Sequence, residues 1–93
     1  MARLSEQQLS QELQGLSGWQ QAGNEIRKTF QFDNFVRAIA FVNRVADAAE
    51  AANHHPDIDI RYNKVAIALT THDEGGISDK DVALAQRLNG LEA

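Results

Sequence analysis

Two stretches of strict apolar–polar alternation occupy the second half of the chain, Asp57-Ile58-Asp59-Ile60-Arg61-Tyr62 and Val65-Ala66-Ile67-Ala68-Leu69-Thr70. Period-two patterning predicts strands. The two residues between them, Asn63-Lys64, predict a hairpin loop, with Asn tolerating the positive φ that such a turn needs. That loop fixes a register: Tyr62 faces Val65, Ile60 faces Ile67 and Ile58 faces Leu69 on one side of the ribbon. Arg61 with Ala66, Asp59 with Ala68 and Asp57 with Thr70 lie on the other. Continued outward, the register sets His55 opposite His72, at the Cβ spacing of about 4.5–5.5 Å typical of directly opposed residues, with His54 adjacent. Pro56 has no N–H for the ladder and is the point at which the strand can end early.

Upstream, Leu4-Ser5-Glu6-Gln7-Gln8-Leu9 carries a helix-start signature. Ser5 sits at the N-cap and Gln8 at N3 of a capping box, and Leu4 and Leu9 sit at the staple positions. Leu9, Leu13 and Leu16 give a thin apolar stripe, and Gly15 or Gly18 ends the element. Gly18-Trp19-Gln20 predicts a short strand, Ala22-Gly23-Asn24 a turn, and Glu25 to Phe32 a longer strand. In that strand Ile26, Phe30 and Phe32 face one way and Arg27, Thr29 and Gln31 the other. Trp19 fits the edge of a core better than a stacking platform for a ligand. Asp33 is the expected N-cap of a long helix from Asn34 to about Ala52, with Phe35, Ile39, Val42, Ala46 and Ala49 toward the sheet and Phe41 and Val45 widening the apolar surface. A stripe this wide points to a second contact such as a partner subunit. Asn53 is a tolerated residue just past the helix, and Pro56 prevents its resumption.

After the hairpin, Asp73-Glu74-Gly75-Gly76 reads as a loop. Ser78 then caps a last helix with Asp81 at N3, and Leu84, Leu88 and Leu91 form its apolar face. The order helix, strand, strand, long helix, strand, strand, helix predicts an α+β fold: a four-stranded antiparallel sheet with helices on one face and the other face open. The open face is where this register puts His55 and His72. No repeat or linker divides the 93 residues, which read as a single domain over 1–93.

Composition narrows the function. There is no cysteine, which excludes disulfides, thiolate metal sites and a Cys nucleophile, and fits a cytoplasmic location. The start, Met1 to Gln8, is polar and lacks the apolar core of a secretory signal. No apolar run approaches the roughly 20 residues of a membrane span. A net charge of −4, with nine scattered Lys and Arg, argues against direct nucleic-acid binding through the phosphate backbone.

All three histidines fall between residues 54 and 72. With an unperturbed pKa of about 6.5, imidazoles give and take protons near neutrality. A cluster supplies both the acid and the base that elimination of water requires, worth roughly 10²–10⁴-fold in rate. A three-histidine zinc site is the alternative. It is disfavoured because adjacent His54 and His55 in an extended chain point to opposite faces, and because neither His-x-x-x-His nor His-x-His spacing occurs. No G-x-S-x-G elbow supports a serine hydrolase.

The set Glu50…His54-His55-Pro56…Tyr62-Asn63-Lys64-Val65…Thr71-His72…Gly76-Ile77-Ser78…Asp81 resembles the pterin-4a-carbinolamine dehydratase family, over roughly Trp19 to Leu88. The resemblance implies the same four-stranded α+β fold. It also implies dehydration of 4a-hydroxytetrahydrobiopterin to quinonoid dihydropterin, in the recycling of tetrahydrobiopterin after aromatic amino acid hydroxylation, without cofactor or metal. It implies His54, His55 and His72 as catalytic residues, with His54 and His72 the leading acid–base pair and His55 shaping the site. Glu50, Asn53, Thr70, Thr71, Asp73 and Asp81 are implied as substrate-binding, and a homodimer or homotetramer as the assembly. Departures from the family pattern are Ile58 where many members carry an aromatic, Ala51 where Lys is common, and Ala66 in place of a bulkier residue. They bear on substrate fit more than on the reaction. Some family members are interaction modules, one a dimerisation cofactor of a homeodomain transcription factor, so a non-catalytic assembly role on the same fold is the alternative function.

Overall fold

The computed structural model describes residues 3–92; Met1 and Ala2, the first residues of the polar start, lie outside the described residues. The first helix, α1 (Glu6–Gln14), begins as its sequence requires. Ser5 Oγ accepts from the Gln8 N–H (3.1 Å) and Gln8 Oε1 from the Ser5 N–H (2.9 Å), satisfying two of the donors a helix start leaves orphaned. Leu9 and Leu16 are buried against the sheet.

The first strand, β1, is Gln20–Ala22 rather than Gly18–Gln20. Trp19 instead drops into the core, edge-on to Phe30 at 6.2 Å, with its Nε1–H donated to Asn89 Oδ1 at 2.9 Å. Burial of the indole outweighs one more ladder position, and satisfying its N–H makes that burial affordable. Strand β2 (Glu25–Gln31) turns Ile26 and Phe30 inward. Lys28 breaks the pattern on that inward side: its Nζ lies 4.5 Å from the Phe30 ring centroid and donates to Ser17 O and Asn89 Oδ1.

Helix α2 (Phe35–Ala52) is capped by Asn34, whose side-chain oxygen accepts from the Arg37 N–H at 2.9 Å; Asp33 lies one residue outside. Its buried face is Ala38, Phe41, Val45, Ala48 and Ala49. Of the stripe expected from the sequence only Ala49 is buried: Ile39 and Val42 are partly covered, Ala46 is exposed, and Phe35 is 49% exposed. The helix is rolled by one position, about 100°. The larger Phe41 packs on Phe30 (4.6 Å between centroids) and Phe32 (5.0 Å), and two such ring pairs add about 1–3 kcal/mol beyond area burial.

Strands β3 (Asp57–Arg61) and β4 (Lys64–Leu69) complete an antiparallel sheet of order β1-β2-β4-β3. The hairpin loop is Tyr62-Asn63, not Asn63-Lys64: Arg61 pairs with Lys64, Ile60 with Val65, Ile58 with Ile67 and Asp57 with Ala68. Asn63 is drawn into the loop by β2, its Nδ2 donating to Phe32 O (2.8 Å) while its own carbonyl accepts from the Phe32 N–H (2.9 Å). This is a two-residue slip in pairing, so every side chain keeps its expected face. It does break the extrapolation that opposed His55 to His72.

Beyond β4 the chain makes a one-turn 3₁₀ helix, His72–Glu74, and then α3 (Asp79–Asn89), which buries Val82, Leu84, Ala85 and Leu88. The helices cover one sheet face. The other carries Arg27, Thr29, Ala66, Asp57 and Asp59 in register. Among the described residues no helix is long and apolar enough to cross a membrane.

Candidate active site

The site is made where α2 ends and α3 begins, at the end of β4, rather than across the middle of the open sheet face. Helix α2 stops in a Schellman turn. Asn53 takes a left-handed conformation (φ 51°, ψ 42°), its N–H donates to Glu50 O (3.2 Å), and the His54 N–H reaches Ala49 O (3.1 Å). Asparagine is among the few residues for which this conformation is cheap. The turn throws His54 toward α3.

There His54 meets Asp81. Asp81 is fully buried and accepts three hydrogen bonds. His54 Nε2 donates to Oδ1 (2.5 Å), while Thr71 Oγ1 and the Ser78 N–H both donate to Oδ2 (2.9 Å each). Thr71 Oγ1 also lies 2.7 Å from Ser78 Oγ, which in turn accepts from the Lys80 N–H (3.3 Å). The capping box of α3 is thus also the socket of a histidine. An ionised carboxylate only accepts, so Nε2 is the donor in this bond and Nδ1 is the ring nitrogen left outside it. Among the described residues Nδ1 has no hydrogen-bond partner and no buried side-chain polar atom is left unpaired, so Nδ1 is open to solvent. The ring itself is 12% exposed.

His54 opens onto a cleft of about 370 Å³ lined by Asn53, His54, His55, Thr70, Thr71, His72, Asp73 and Lys80. Seven of these are sequence-predicted site residues. His72 is exposed on the 3₁₀ turn; its carbonyl accepts from the Gly75 N–H (3.0 Å), and its side chain has no hydrogen-bond partner among the described residues. His55 is 58% exposed, and its Nε2 pairs with Glu50 Oε2 at the surface, so Glu50 meets the site only through His55. Thr70 Oγ1 donates to Asn24 O (2.6 Å).

Two of the expected substrate-binding residues have side chains engaged inside the protein, although Thr71 still lines the cleft. Asp81 lies behind His54 and presents no surface to the cleft, and the Thr71 hydroxyl is committed to Asp81 and Ser78. Sequence reasoning identified Ser78 and Asp81 as a helix cap without joining them to His54. It also passed over Lys80, whose only signal is its place in the first turn of a helix that starts at the histidines. Among the described residues no three His, Asp or Glu side chains converge as metal ligands.

Comparison with known proteins gives a consistent result. A family model described as "Pterin 4 alpha carbinolamine dehydratase" matches residues 2–91. A Roseiflexus sp. (strain RS-1) protein named "Putative pterin-4-alpha-carbinolamine dehydratase" is 56% identical over 96% of both chains. Proteins with the same name from Thermomicrobium roseum and Chloroflexus aurantiacus are 52% and 55% identical over 98% of both. Among solved structures, a transcriptional coactivator/pterin dehydratase from Brucella melitensis superposes with a TM-score of 0.94 at 33% identity, covering 98% of this chain and 99% of that one. A pterin dehydratase-like protein identified as a RuBisCO assembly factor in the alpha-carboxysome matches at 0.67 and 25% identity, over 81% and 87%.

Proposed function

The chain belongs to the pterin-4a-carbinolamine dehydratase family, and from that premise we propose that it dehydrates 4a-hydroxytetrahydrobiopterin to quinonoid dihydropterin by histidine acid–base catalysis, in tetrahydrobiopterin recycling. The observation that carries the reading is the buried Asp81 holding His54 at a cleft that His55 and His72 also line.

A carbinolamine has a hydroxyl and a nitrogen on one carbon. Losing water breaks the C–O bond, sends one proton to the departing oxygen and one away from nitrogen, and leaves C=N. Neutral His54 has the lone pair for the second task at Nδ1, and the imidazolium it becomes is stabilised by Asp81 across the existing hydrogen bond. His72, protonated, delivers the first proton. His55 and Asn53 shape the rim, with Glu50 holding His55. Thr70 and Asp73 line the edge of the ring. Thr71, Ser78 and Asp81 act as positioning residues through His54.

A second reading is a non-catalytic assembly module, favoured by the likeness to the RuBisCO assembly factor and by the exposed Phe35 and Val36 on α2. That surface is the one we assign to self-association as a dimer or tetramer. A module of that kind has no use for an oriented imidazole. Dehydration of freshly generated 4a-hydroxytetrahydropterin by His54→Ala and His72→Ala beside the parent protein separates the two. The enzyme reading expects both variants to lose at least about 10²-fold in acceleration. Variants as fast as the parent would end it.

A further inference from the structure

The loop that carries His72 is closed by its own backbone. The Thr71 N–H donates to Gly76 O (2.9 Å) and the Gly76 N–H to Thr71 O (3.3 Å). Inside that pair the Glu74 N–H donates to Thr71 O and the Gly75 N–H to His72 O, each at 3.0 Å. The His72 side chain has no hydrogen bond of its own among the described residues, so its ring goes where this backbone carries it.

The segment before α1 crosses the loop from outside the cleft. Arg3 makes an antiparallel bridge with Ser78, and the Leu4 N–H donates to Ile77 O at 2.8 Å. The Arg3 side chain then runs back along the loop, and its Nη1 donates to Gly75 O at 3.2 Å. Gly76 makes room for it. A Cβ at that position would stand 2.6 Å from Arg3 Cδ and 3.3 Å from Cγ. Gly76 is not among the residues of positive φ, so glycine serves there for space rather than for backbone conformation. Arg3 is not among the residues that line the histidine cleft.

We propose that Arg3 is a positioning residue for His72: it straps the Gly75–Gly76 end of the loop, and the loop sets the imidazole at the cleft. The inference rests on the acid–base reading above and adds to it a residue that touches no substrate. The bond is at the surface, between an exposed arginine and a carbonyl. Its loss frees the loop locally while leaving the packed core intact. A misplaced proton donor slows the chemical step, so the effect falls on kcat rather than on KM.

The test uses the full chain with Arg3→Ala, Arg3→Lys, Gly76→Ala and the Arg3→Ala/Gly76→Ala pair. Loss of one charge-assisted bond predicts a kcat for dehydration of 4a-hydroxytetrahydropterin lower by roughly tenfold in Arg3→Ala, with KM within about twofold and the urea midpoint close to that of the parent. Arg3→Lys is expected to recover part of the loss. Gly76→Ala should fall by a similar factor, because its methyl group displaces the arginine, and the double variant no further than either single one. In a His72→Ala background, Arg3→Ala should change the rate by less than about twofold. Hydrogen exchange at the Gly75 amide reads the loop without substrate and should be faster in Arg3→Ala. Parent-like kcat or parent-like Gly75 exchange in Arg3→Ala, or the same loss when His72 is already alanine, would overturn the proposal. If the parent protein does not accelerate dehydration, the acid–base reading falls, and Gly75 exchange still decides whether Arg3 orders the loop.

Discussion

Replacing Asp81 by asparagine separates the role of the carboxylate in folding from its role in chemistry. The variant is isosteric, and its amide has one sensible orientation. The Ser78 N–H and the Thr71 hydroxyl both donate to Oδ2 at 2.9 Å, so the amide oxygen must take that side; the reverse would set an NH₂ against a backbone N–H at a buried helix start. Two of the three hydrogen bonds therefore survive. The third reverses, because the amide NH₂ now faces His54 Nε2 where Oδ1 stood at 2.5 Å.

Loss of the charge at the positive end of α3, and of charge assistance in the surviving bonds, costs about 1–2 kcal/mol of stability. The catalytic effect is larger. His54 must accept at Nε2, so its proton moves to Nδ1, and the nitrogen proposed as the base becomes a donor. A base that has lost its lone pair forfeits about 10²–10⁴-fold in rate. Three measurements check this: urea unfolding for stability, stopped-flow dehydration of 4a-hydroxytetrahydropterin for rate, and ¹⁵N shifts of His54 for the tautomer. Asp81→Asn within threefold of the parent rate, or with His54 still protonated at Nε2, would refute the reasoning.

Other perturbations follow from the same structure. His55→Ala is expected to lower the rate by less than either of the other histidine changes, about tenfold or under, because its ring pairs with Glu50 at the surface; parallel kinetics on the three variants decide it. Phe41→Ala, which empties the position between Phe30 and Phe32, should cost about 3–5 kcal/mol by urea unfolding. Gly18→Ala places a Cβ 2.8 Å from Lys28 Cε at a φ of 85° and should lower stability by roughly 1–2 kcal/mol in the same assay. Tyr62, at φ 52° and 67% exposed, is expected to gain about 0.5–1 kcal/mol on substitution by Asn, which tolerates that conformation; a loss would show that the phenol ring contributes packing.

What the sequence disclosed depended on how local each feature is. The caps at Ser5, Asn53 and Ser78 and the alternation of β2, β3 and β4 are written within a few residues, and the structure follows them. The roll of α2 was not legible, because Phe41 and Val42 are both apolar and only the aromatic partners on β2 choose between them. The hairpin loop slipped because Asn63 answers to Phe32, 31 residues away. The three histidines, expected to lie close together, do line one cleft. Their arrangement was not legible, since it follows from the Schellman turn at Asn53 and the 3₁₀ turn at His72 rather than from strand register. The Thr71–Ser78–Asp81 network was present in the sequence as a helix cap, and only the meeting of α2 with α3 shows that the cap also holds His54.

The decay of 4a-hydroxytetrahydropterin with and without this protein decides whether it is a dehydratase. The carbinolamine is generated in situ and its loss of water followed by stopped-flow absorbance. A dehydratase accelerates that decay above the spontaneous rate in proportion to protein concentration, with quinonoid dihydropterin as the product. Decay at the spontaneous rate across that range would contradict the dehydratase reading.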